Sequence, residues 1–216
     1  MCKAIVFDLD GTLLDTLDDL FSAVNAALSA YKLPLRSREE VRGFVGNGIV
    51  KLMQRAVGRE DHPDFDGILW AFKRHYKAHC ADQTQAYEGI LPLLAALKER
   101  GVKTAVVSNK ADFAVKLLAK DYFEGLLLEA VGENEEAGIR KKPAPDSLLA
   151  VMERLGVTAS ETLYVGDSEV DIQTAKNAGV RCISVSWGFK GREFLLANGA
   201  EILIDTPSAI LEFCGD

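Results

Sequence analysis

The chain has 216 residues, of which 48% are apolar and 26% charged, and its net charge is −7. These proportions exclude collagen-like, low-complexity and disordered chains, and a chain of this length hides about 70% of its surface on folding. The acidic balance argues against a nucleic-acid partner, and no apolar run approaches the roughly 20 residues that a membrane span needs.

The first predicted element is a buried strand at Ala4–Phe7, followed by a segment without any convincing strand over residues 16–81. Apolar residues repeat in that segment at helical spacing. They are Leu17, Leu20, Phe21, Val24, Leu28 and Tyr31, then Val50, Met53 and Val57, then Phe65, Leu69, Phe72 and Tyr76. So much helix exceeds what one crossover between strands needs. We therefore predict an inserted helical bundle, the alternative being that these helices extend the main layer.

Local signals set the limits of the bundle helices. Ser37 and Glu40 have the spacing of a capping box, which predicts a helix start, and Pro63 is expected in the first turn of the last helix. Gly46, Asn47 and Gly48 interrupt the helical pattern. Two glycines around a polar residue predict a tight exposed turn, which we expect to face the carboxylates described below, the alternative being a plain turn facing solvent.

The remainder of the chain alternates strands with helices. The strands are predicted at Lys103–Val107, Leu126–Val131, Thr162–Val165, Cys182–Val185 and Ile202–Ile204, and helices ending at glycine at Leu91–Arg100, Asp146–Leu155 and Val170–Ala178. This alternation predicts right-handed βαβ units and a parallel sheet covered on both faces. The fold class is α/β, with a doubly wound parallel-sheet (Rossmann-like) core over residues 1–15 and 82–216 and a helical-bundle cap domain over 16–81.

Two carboxylates, Asp8 and Asp10, follow the first strand, and Gly11 comes directly after them. The carboxyl ends of strands form the edge at which open α/β proteins bind ligands. Close carboxylates repel each other, and a hard cation such as Mg²⁺ relieves that repulsion. Gly11 lets a backbone amide approach a ligand. Turns also use aspartate freely, so the pair alone is a weak signal.

A second polar cluster, Ser108-Asn109-Lys110, follows the next strand of the core. Its hydroxyl, amide and ammonium groups suit an anionic oxygen, although they would also suit an ordinary helix start. Farther along, Lys142 precedes Pro143, which keeps the lysine extended. The alternative is that Arg140, Lys141 and Lys142 form an ordinary charged surface exposed to solvent.

A third strand ends in Asp167, and Asp171 follows on the first turn of a predicted helix. In that position Asp171 would point back toward the strand ends, giving four acids for one metal site. The alternative is that Asp167 and Ser168 cap the helix.

The order and spacing of these motifs carry a resemblance. Asp8-x-Asp10-Gly11-Thr12, Ser108, Lys142-Pro143 and Gly166-Asp167-x3-Asp171 stand in the order found in the haloacid dehalogenase-like phosphohydrolases, which the sequence resembles over its whole length. The inserted helices match the subclass whose helical cap lies between the first two motifs. Residues 41–48 and 108–110 look most like phosphoglycolate phosphatases. One departure is Glu88, where the family usually has proline. It concerns the hinge or cap entry, not the chemistry.

The resemblance implies a role for each motif residue. Asp8 would attack phosphorus to form an aspartyl-phosphate, and Asp10, oriented by Thr12, would act as acid and base. Ser108 would hydrogen-bond a phosphoryl oxygen and Lys142 would neutralise charge. The implied Mg²⁺ ligands are Asp8, the Asp10 backbone carbonyl and Asp167, with Asp171 in support. The candidate substrate-binding residues are Gly11, Gly46, Asn47, Asn109 and Lys110.

The expected function is Mg²⁺-dependent hydrolysis of a small phosphorylated metabolite, with 2-phosphoglycolate as the leading candidate. A sugar phosphomutase or pyrophosphatase of the same fold is the alternative among enzymes, and a non-catalytic binding or regulatory module is the alternative outside them. A dehalogenase is disfavoured because Asp10 serves phosphoryl chemistry. The charged Lys3 near the start argues against a signal peptide, and the four cysteines lack metal-ligand spacing. We therefore expect a cytoplasmic monomer or homodimer with reduced thiols and no membrane partner.

Overall fold

The computed structural model describes residues 2–59, 61–135 and 138–214. The chain divides into two compact units, one formed by Met1–Leu14 and Ala86–Asp216 and the other by Asp15–Gln85. The predicted cap, residues 16–81, falls inside the second unit. That this unit acts as a cap stays a prediction.

The larger unit is built on a six-stranded sheet in which every pairing is parallel. In spatial order its strands are β5 (Glu129–Glu133), β4 (Lys103–Ala111), β1 (Ala4–Phe7), β6 (Thr162–Gly166), β7 (Arg181–Val185) and β8 (Leu203–Ile204). Strand β1 is central and buried over its whole length, as expected for a sheet covered on both faces. The predicted α/β class with a parallel sheet is confirmed.

Helices connect the successive strands of this sheet. They are α5 (Ile90–Glu99), α6 (Asp112–Phe123), α7 (Asp146–Leu155), α8 (Glu169–Ala178) and α9 (Arg192–Ala197). Helices α7 and α8 end at Gly156 and Gly179, whose φ angles of 65° and 69° are left-handed, as the predicted glycine stops require. The sequence patterns do not predict α6 and α9.

One hydrophobic core lies between the sheet and the helices α7 and α8. Alternate residues of the central strands point into it, because side chains on a strand alternate between its faces. They include Ala4 and Val6 of β1, Ala105 and Val107 of β4 and Tyr164 of β6, packed against Leu148 and Val151 of α7 and Ala175 of α8.

The smaller unit is a bundle of four helices, α1 (Leu17–Ala30), α2 (Arg38–Phe44), α3 (Gly48–Val57) and α4 (Phe65–His79). The predicted capping box at the start of α2 is present, with Ser37 and Glu40 bonded reciprocally. Pro63 was predicted in the first turn of α4 but lies two residues before it, because α4 begins at Phe65 and Asp64 takes the N-cap position. No helix among residues 2–59, 61–135 and 138–214 is long and apolar enough to span a membrane.

Two short strands, β2 (Leu14–Asp15) and β3 (Gln85–Ala86), mark the points where the chain leaves and rejoins the larger unit. They pair as a two-stranded sheet of their own. Each has only two residues, so no alternating pattern could reveal them in the sequence.

Candidate active site

The register of the central strands brings three of the predicted motifs together. Phe7 pairs with Val106 on one side and with Val165 on the other. The backbone N–H of Asp8 donates to the Val165 carbonyl over 2.8 Å. The residues that follow these positions on β1, β4 and β6 therefore share the carboxyl edge of the sheet, where open α/β folds bind ligands.

The second motif lies in a bulge rather than after a strand. Strand β4 continues to Ala111, and its pairing with β5 shifts between Val107, opposite Val131, and Ala111, opposite Glu133. Four residues of β4 therefore run beside two of β5. Bulges of this kind redirect side chains near active sites, and this one contains the predicted cluster Ser108-Asn109-Lys110. All three of its residues are buried.

Lys142 lies at the centre of the site and is buried together with its partners. Its Nζ lies 2.9 Å from Asp8 Oδ1 and 2.7 Å from Asp171 Oδ1, and donates to Tyr164 Oη over 3.0 Å. Burial alone would lower the pKa of Lys142, but Asp171 and Asp8 outweigh it and raise that pKa. The lysine is therefore a fixed positive charge beside Asp8.

Three carboxylates lie close together at this site. Asp8, Asp167 and Asp171 each place an oxygen within 4.8 Å of the others. Burial, reinforced by the neighbouring acids, raises the pKa of Asp8 to about 6 and raises that of Asp167 well above its ordinary value. One ammonium does not balance three ionised acids, so without a further cation the buried cluster favours protonation of Asp167 and Asp8.

The residues of the cluster fit a hard cation. Asp8 Oδ1 is buried, lies 2.9 Å from Lys142 Nζ as an ion pair, and has no hydrogen-bond partner of good geometry among the described residues. Carboxylate oxygens are the ligands that Mg²⁺ and Ca²⁺ prefer. A divalent cation would relieve the repulsion that raises both pKa values.

Asp171 differs from the other two acids because both of its oxygens are engaged. Oδ1 accepts from Lys142 Nζ, and Oδ2 accepts from the backbone N–H and the hydroxyl of Ser168 over 3.1 and 2.6 Å. Asp171 thus anchors the lysine and closes the start of α8. The alternative prediction that Ser168 caps the helix is confirmed, because Ser168 is the N-cap residue of α8. A direct contact of Asp171 with a metal ion stays a prediction.

Asp167 is held in a narrow seat formed by two glycines. A Cβ atom at Gly11 would lie 2.4 Å from Asp167 Oδ2, and one at Gly188 would lie 2.3 Å from Asp167 Cβ. The backbone N–H of Phe189 donates to Asp167 Oδ2 over 2.6 Å. Only residues without a Cβ fit at these two positions, so the loop after β7 is part of the site.

Asp10 is paired with a lysine of its own. Lys110 Nζ lies 2.7 Å from Asp10 Oδ1, and the two side chains are 2% and 13% exposed. Lys110 was predicted to contact the substrate, and that role stays a prediction. In this structure its ammonium group is engaged with Asp10.

Three other predicted site residues, Asn109, Thr12 and Ser108, differ in their hydrogen bonding. The carboxamide of Asn109 accepts from the Lys142 N–H over 2.8 Å and donates to the Lys142 carbonyl over 3.0 Å, which fixes the lysine backbone. Thr12 Oγ1 is buried and makes no hydrogen bond to any described residue, so an orienting contact with Asp10 is not observed. Ser108 Oγ accepts from the Lys110 N–H over 3.4 Å.

The predicted turn Gly46-Asn47-Gly48 joins α2 to α3 in the smaller unit, with Asn47 at the N-cap position and Gly48 as the first residue of α3, and its three residues are half-buried rather than exposed. Gly46 and Gly48 have φ angles of 123° and 81°, which confirms the need for glycine at both positions. Asn47 Oδ1 accepts from the Arg55 guanidinium over 2.7 Å. A contact of Gly46 or Asn47 with substrate stays a prediction.

Sequence reasoning missed Tyr164 and Gly188. Tyr164 reads as an ordinary apolar residue of β6, yet its hydroxyl accepts from Lys142 and donates to the Val107 carbonyl over 3.1 Å. Gly188 follows the end of β7 within Trp187-Gly188-Phe189, and the Trp187 indole donates to the Thr12 carbonyl over 3.0 Å. A glycine between two aromatic residues just beyond a strand end is the signal that could have identified this loop.

Buried acids and lysines at the carboxyl edge of a parallel sheet define an α/β enzyme built to handle an anionic group. The family model of the haloacid dehalogenase-like hydrolases matches residues 5–185, and the chain belongs to this family. The predicted resemblance is therefore confirmed.

Similar proteins narrow the activity to a class. A phosphoglycolate phosphatase of Pseudomonas putida is 36% identical over 99% of this chain and 80% of its own length. An N-acetylmuramic acid 6-phosphate phosphatase of Pseudomonas aeruginosa is 32% identical over 97% of this chain and 93% of its own length. A solved structure from Lactobacillus delbrueckii subsp. bulgaricus, provisionally assigned as a phosphoglycolate phosphatase, has a TM-score of 0.92 at 37% identity and covers 99% of both chains. The chain is a phosphatase of the haloacid dehalogenase-like family.

Proposed function

We propose that the protein hydrolyses a small phosphomonoester, with 2-phosphoglycolate as the first candidate, through a covalent phosphoryl group on Asp8. The observation that carries this proposal is the pairing of Asp8 with Lys142 over 2.9 Å in a buried site at the end of the central strand. A carboxylate fixed beside a permanent positive charge is a nucleophile suited to an anionic substrate. Covalent catalysis of this kind divides one difficult transfer into two easier steps.

In the first step, a carboxylate oxygen of Asp8 forms a bond to phosphorus while the bond from phosphorus to the leaving oxygen breaks. Asp10 gives its proton to that leaving oxygen. In the second step, Asp10 takes a proton from water as the water oxygen bonds to phosphorus and the bond to Asp8 breaks. Both carboxylates then return to their starting state, and inorganic phosphate leaves.

The charge of the phosphoryl group must be offset throughout. Lys142 supplies one positive charge, and its position is supported by Asp171, Tyr164 and the carboxamide of Asn109. Ser108, buried in the bulge of β4, is the proposed hydrogen-bond donor to a phosphoryl oxygen. Fixed donors in a buried site are effective because they need no rearrangement during the reaction.

Mg²⁺ is the proposed cofactor, held by Asp8, the Asp10 backbone carbonyl and Asp167. It would supply positive charge that stabilises the phosphoryl group in the transition state. Its support is the excess of buried acid over lysine and the buried Asp8 oxygen without a hydrogen bond.

The choice of substrate rests on the relatives. Phosphoglycolate is named for the Pseudomonas putida relative, and a second candidate, N-acetylmuramic acid 6-phosphate, is favoured by the extent of the Pseudomonas aeruginosa match. The two candidates differ greatly in size, so a direct comparison of their rates separates them.

The test is phosphate release from a panel of phosphomonoesters and pyrophosphate, with Mg²⁺, with Ca²⁺ and with EDTA. We expect the highest kcat/KM for 2-phosphoglycolate with Mg²⁺ and no turnover in EDTA. Ca²⁺ should inhibit, because it accepts bidentate carboxylates and would engage both oxygens of Asp8. Asp8→Asn should remove turnover and leave the fold intact. Activity of this variant within tenfold of wild type would refute the proposed nucleophile.

A further inference from the structure

We propose that Lys110 is a positioning residue, which holds the carboxylate of Asp10 in the orientation required for proton transfer and does not bind the substrate. This inference rests on the proposed function and adds a second lysine with a separate task. Lys142 contacts Asp8 and Asp171, whereas Lys110 Nζ lies 2.7 Å from Asp10 Oδ1. The two lysines therefore serve different carboxylates of one site.

The burial of the pair is the first argument. The side chain of Lys110 is 2% exposed and that of Asp10 is 13% exposed. A buried ammonium group is unfavourable unless it is paired, and an apolar replacement of a buried ion pair is often no less stable. Stability alone therefore does not explain a lysine at this position.

The local backbone is the second argument. Lys110 lies in the bulge of β4, where the pairing with β5 shifts between Val107 and Ala111. Its neighbour Asn109 is fixed to the Lys142 backbone by two hydrogen bonds. The backbone N–H of Lys110 donates to Ser108 Oγ. The bulge thus fixes the backbone from which the Lys110 side chain reaches Asp10, 100 residues earlier in the chain.

The chemistry of the carboxylate is the third argument. Oδ1 of Asp10 accepts a hydrogen bond from the Lys110 ammonium group, and this charge-assisted contact engages that oxygen. We assign the transferred proton to Oδ2, which gives it to the leaving oxygen and later takes one from water. Lys110 keeps all its protons in both steps. Loss of this contact would hold the Asp10 carboxylate less well in the orientation that the transfer needs.

The alternative role for Lys110 is direct contact with an anionic group of the substrate, such as the carboxylate of phosphoglycolate. Three substrates separate the two roles. 2-Phosphoglycolate has a carboxylate and an alkoxide leaving group, 2-hydroxyethyl phosphate has the same leaving-group type without the carboxylate, and p-nitrophenyl phosphate has a leaving group that needs no proton. If Lys110 positions Asp10, its loss should lower the rate for every substrate whose leaving group needs a proton. If Lys110 binds the substrate, its loss should lower the rate only for the substrate that has a carboxylate.

The experiment compares Lys110→Met with wild type on these three substrates in the presence of Mg²⁺. General acid–base catalysis contributes about 100- to 10,000-fold, and loss of orientation should remove part of it, so we expect kcat for both alkyl phosphates to fall about 10- to 100-fold. The first-turnover burst of p-nitrophenolate should stay within about threefold of wild type, because no proton is needed to form the phosphoenzyme.

A double-mutant cycle tests whether Lys110 acts through Asp10. In an Asp10→Asn background, Lys110→Met should cause little further loss, because the group that it positions is already inactive. The control is Lys103→Met on the same strand, whose Nζ donates to the Leu155 carbonyl over 2.5 Å. It should leave the ratio of the three rates unchanged. If thermal unfolding shows that Lys110→Met does not fold, Lys110→Gln takes its place.

Three results would overturn the inference. They are a loss confined to 2-phosphoglycolate, an equal loss on all three substrates including the burst, and a full additional loss in the Asp10→Asn background. Failure of the proposed function is a separate result, in which wild type and Lys103→Met both release no phosphate from any of the three esters.

Discussion

The narrow seat of Asp167 leads to a specific prediction for Gly188→Ala. The added Cβ would lie 2.3 Å from Asp167 Cβ, 2.4 Å from Asp167 Oδ2 and 2.4 Å from the Gly11 carbonyl oxygen. All three distances are far shorter than a van der Waals contact. Because Gly188 does not have a left-handed backbone, the effect of the substitution is steric rather than conformational.

The size of the effect follows from which atoms can move. Rotation of the Asp167 side chain can move its carboxylate but not its Cβ, and the Gly11 carbonyl belongs to the backbone that follows Asp10. Overpacking of this kind costs about 1–3 kcal/mol of folding free energy. A displacement of about 1 Å at a reacting site can lower the rate about 100-fold. We therefore expect Gly188→Ala to fold, to lose stability in this range, and to lose most of its activity and Mg²⁺ affinity.

The assay combines urea unfolding, a Mg²⁺ titration of the melting temperature and kcat for phosphate release. The control is Gly43→Ala in α2, where an added Cβ would meet no heavy atom within 4 Å. Replacing this helical glycine should stabilise the protein by about 0.5–1 kcal/mol without affecting Mg²⁺ affinity. If Gly188→Ala retains wild-type stability and Mg²⁺ affinity, the steric account of the Asp167 seat is refuted.

Three further predictions concern buried acids. Asp171→Asn removes a charge that holds Lys142, so it should cost about 3–5 kcal/mol in urea unfolding and lower kcat strongly. Burial raises the pKa of Asp8 from 3.8 to about 6, so the folded state binds more protons than the unfolded state in this window, and stability falls as the pH rises. In EDTA, the free energy of unfolding of wild type should therefore fall by about 2 kcal/mol relative to that of Asp8→Asn between pH 4 and pH 7. Asp19→Ala in the smaller unit removes the acceptor of the buried Thr84 N–H, while the Thr84 hydroxyl can still donate to the Cys80 carbonyl 3.2 Å away, so the substitution should cost about 1–3 kcal/mol.

Each of these predictions has its own contradicting result. Wild-type stability of Asp171→Asn would mean that Lys142 needs no anchor. A pH-independent difference between wild type and Asp8→Asn would mean that Asp8 titrates at an ordinary pKa. Full stability of Asp19→Ala would show that the Thr84 N–H is satisfied without Asp19.

Much of the fold was predictable because its signals are local. Buried β-branched runs and glycine stops identified all six strands of the sheet and three of its helices, although β5 begins at Glu129 rather than at Leu126. Helix α6 was missed because it follows β4 without a break, so no turn signal separates them. The strands β2 and β3 are too short to show a period.

The candidate site was predictable in composition but not in its internal pairing. Motif order indicated Asp8, Asp10 and Asp167, since each follows a strand. The partner of Lys110 depends on the bulge in β4, which is set by pairing with β5 and has no pattern within β4 itself. Lys110 was therefore assigned to the substrate, although its ammonium group lies on Asp10.

The most direct test of the central claim is to trap the phosphoryl group on the enzyme. Wild type is mixed with 2-phosphoglycolate and Mg²⁺, quenched in acid within one turnover, digested and analysed by mass spectrometry. The account predicts one added phosphoryl group on the peptide that contains Asp8, formed and lost at rates consistent with turnover, and none in Asp8→Asn. Phosphate release without any phosphorylated enzyme, or with the phosphoryl group on another residue, would contradict it.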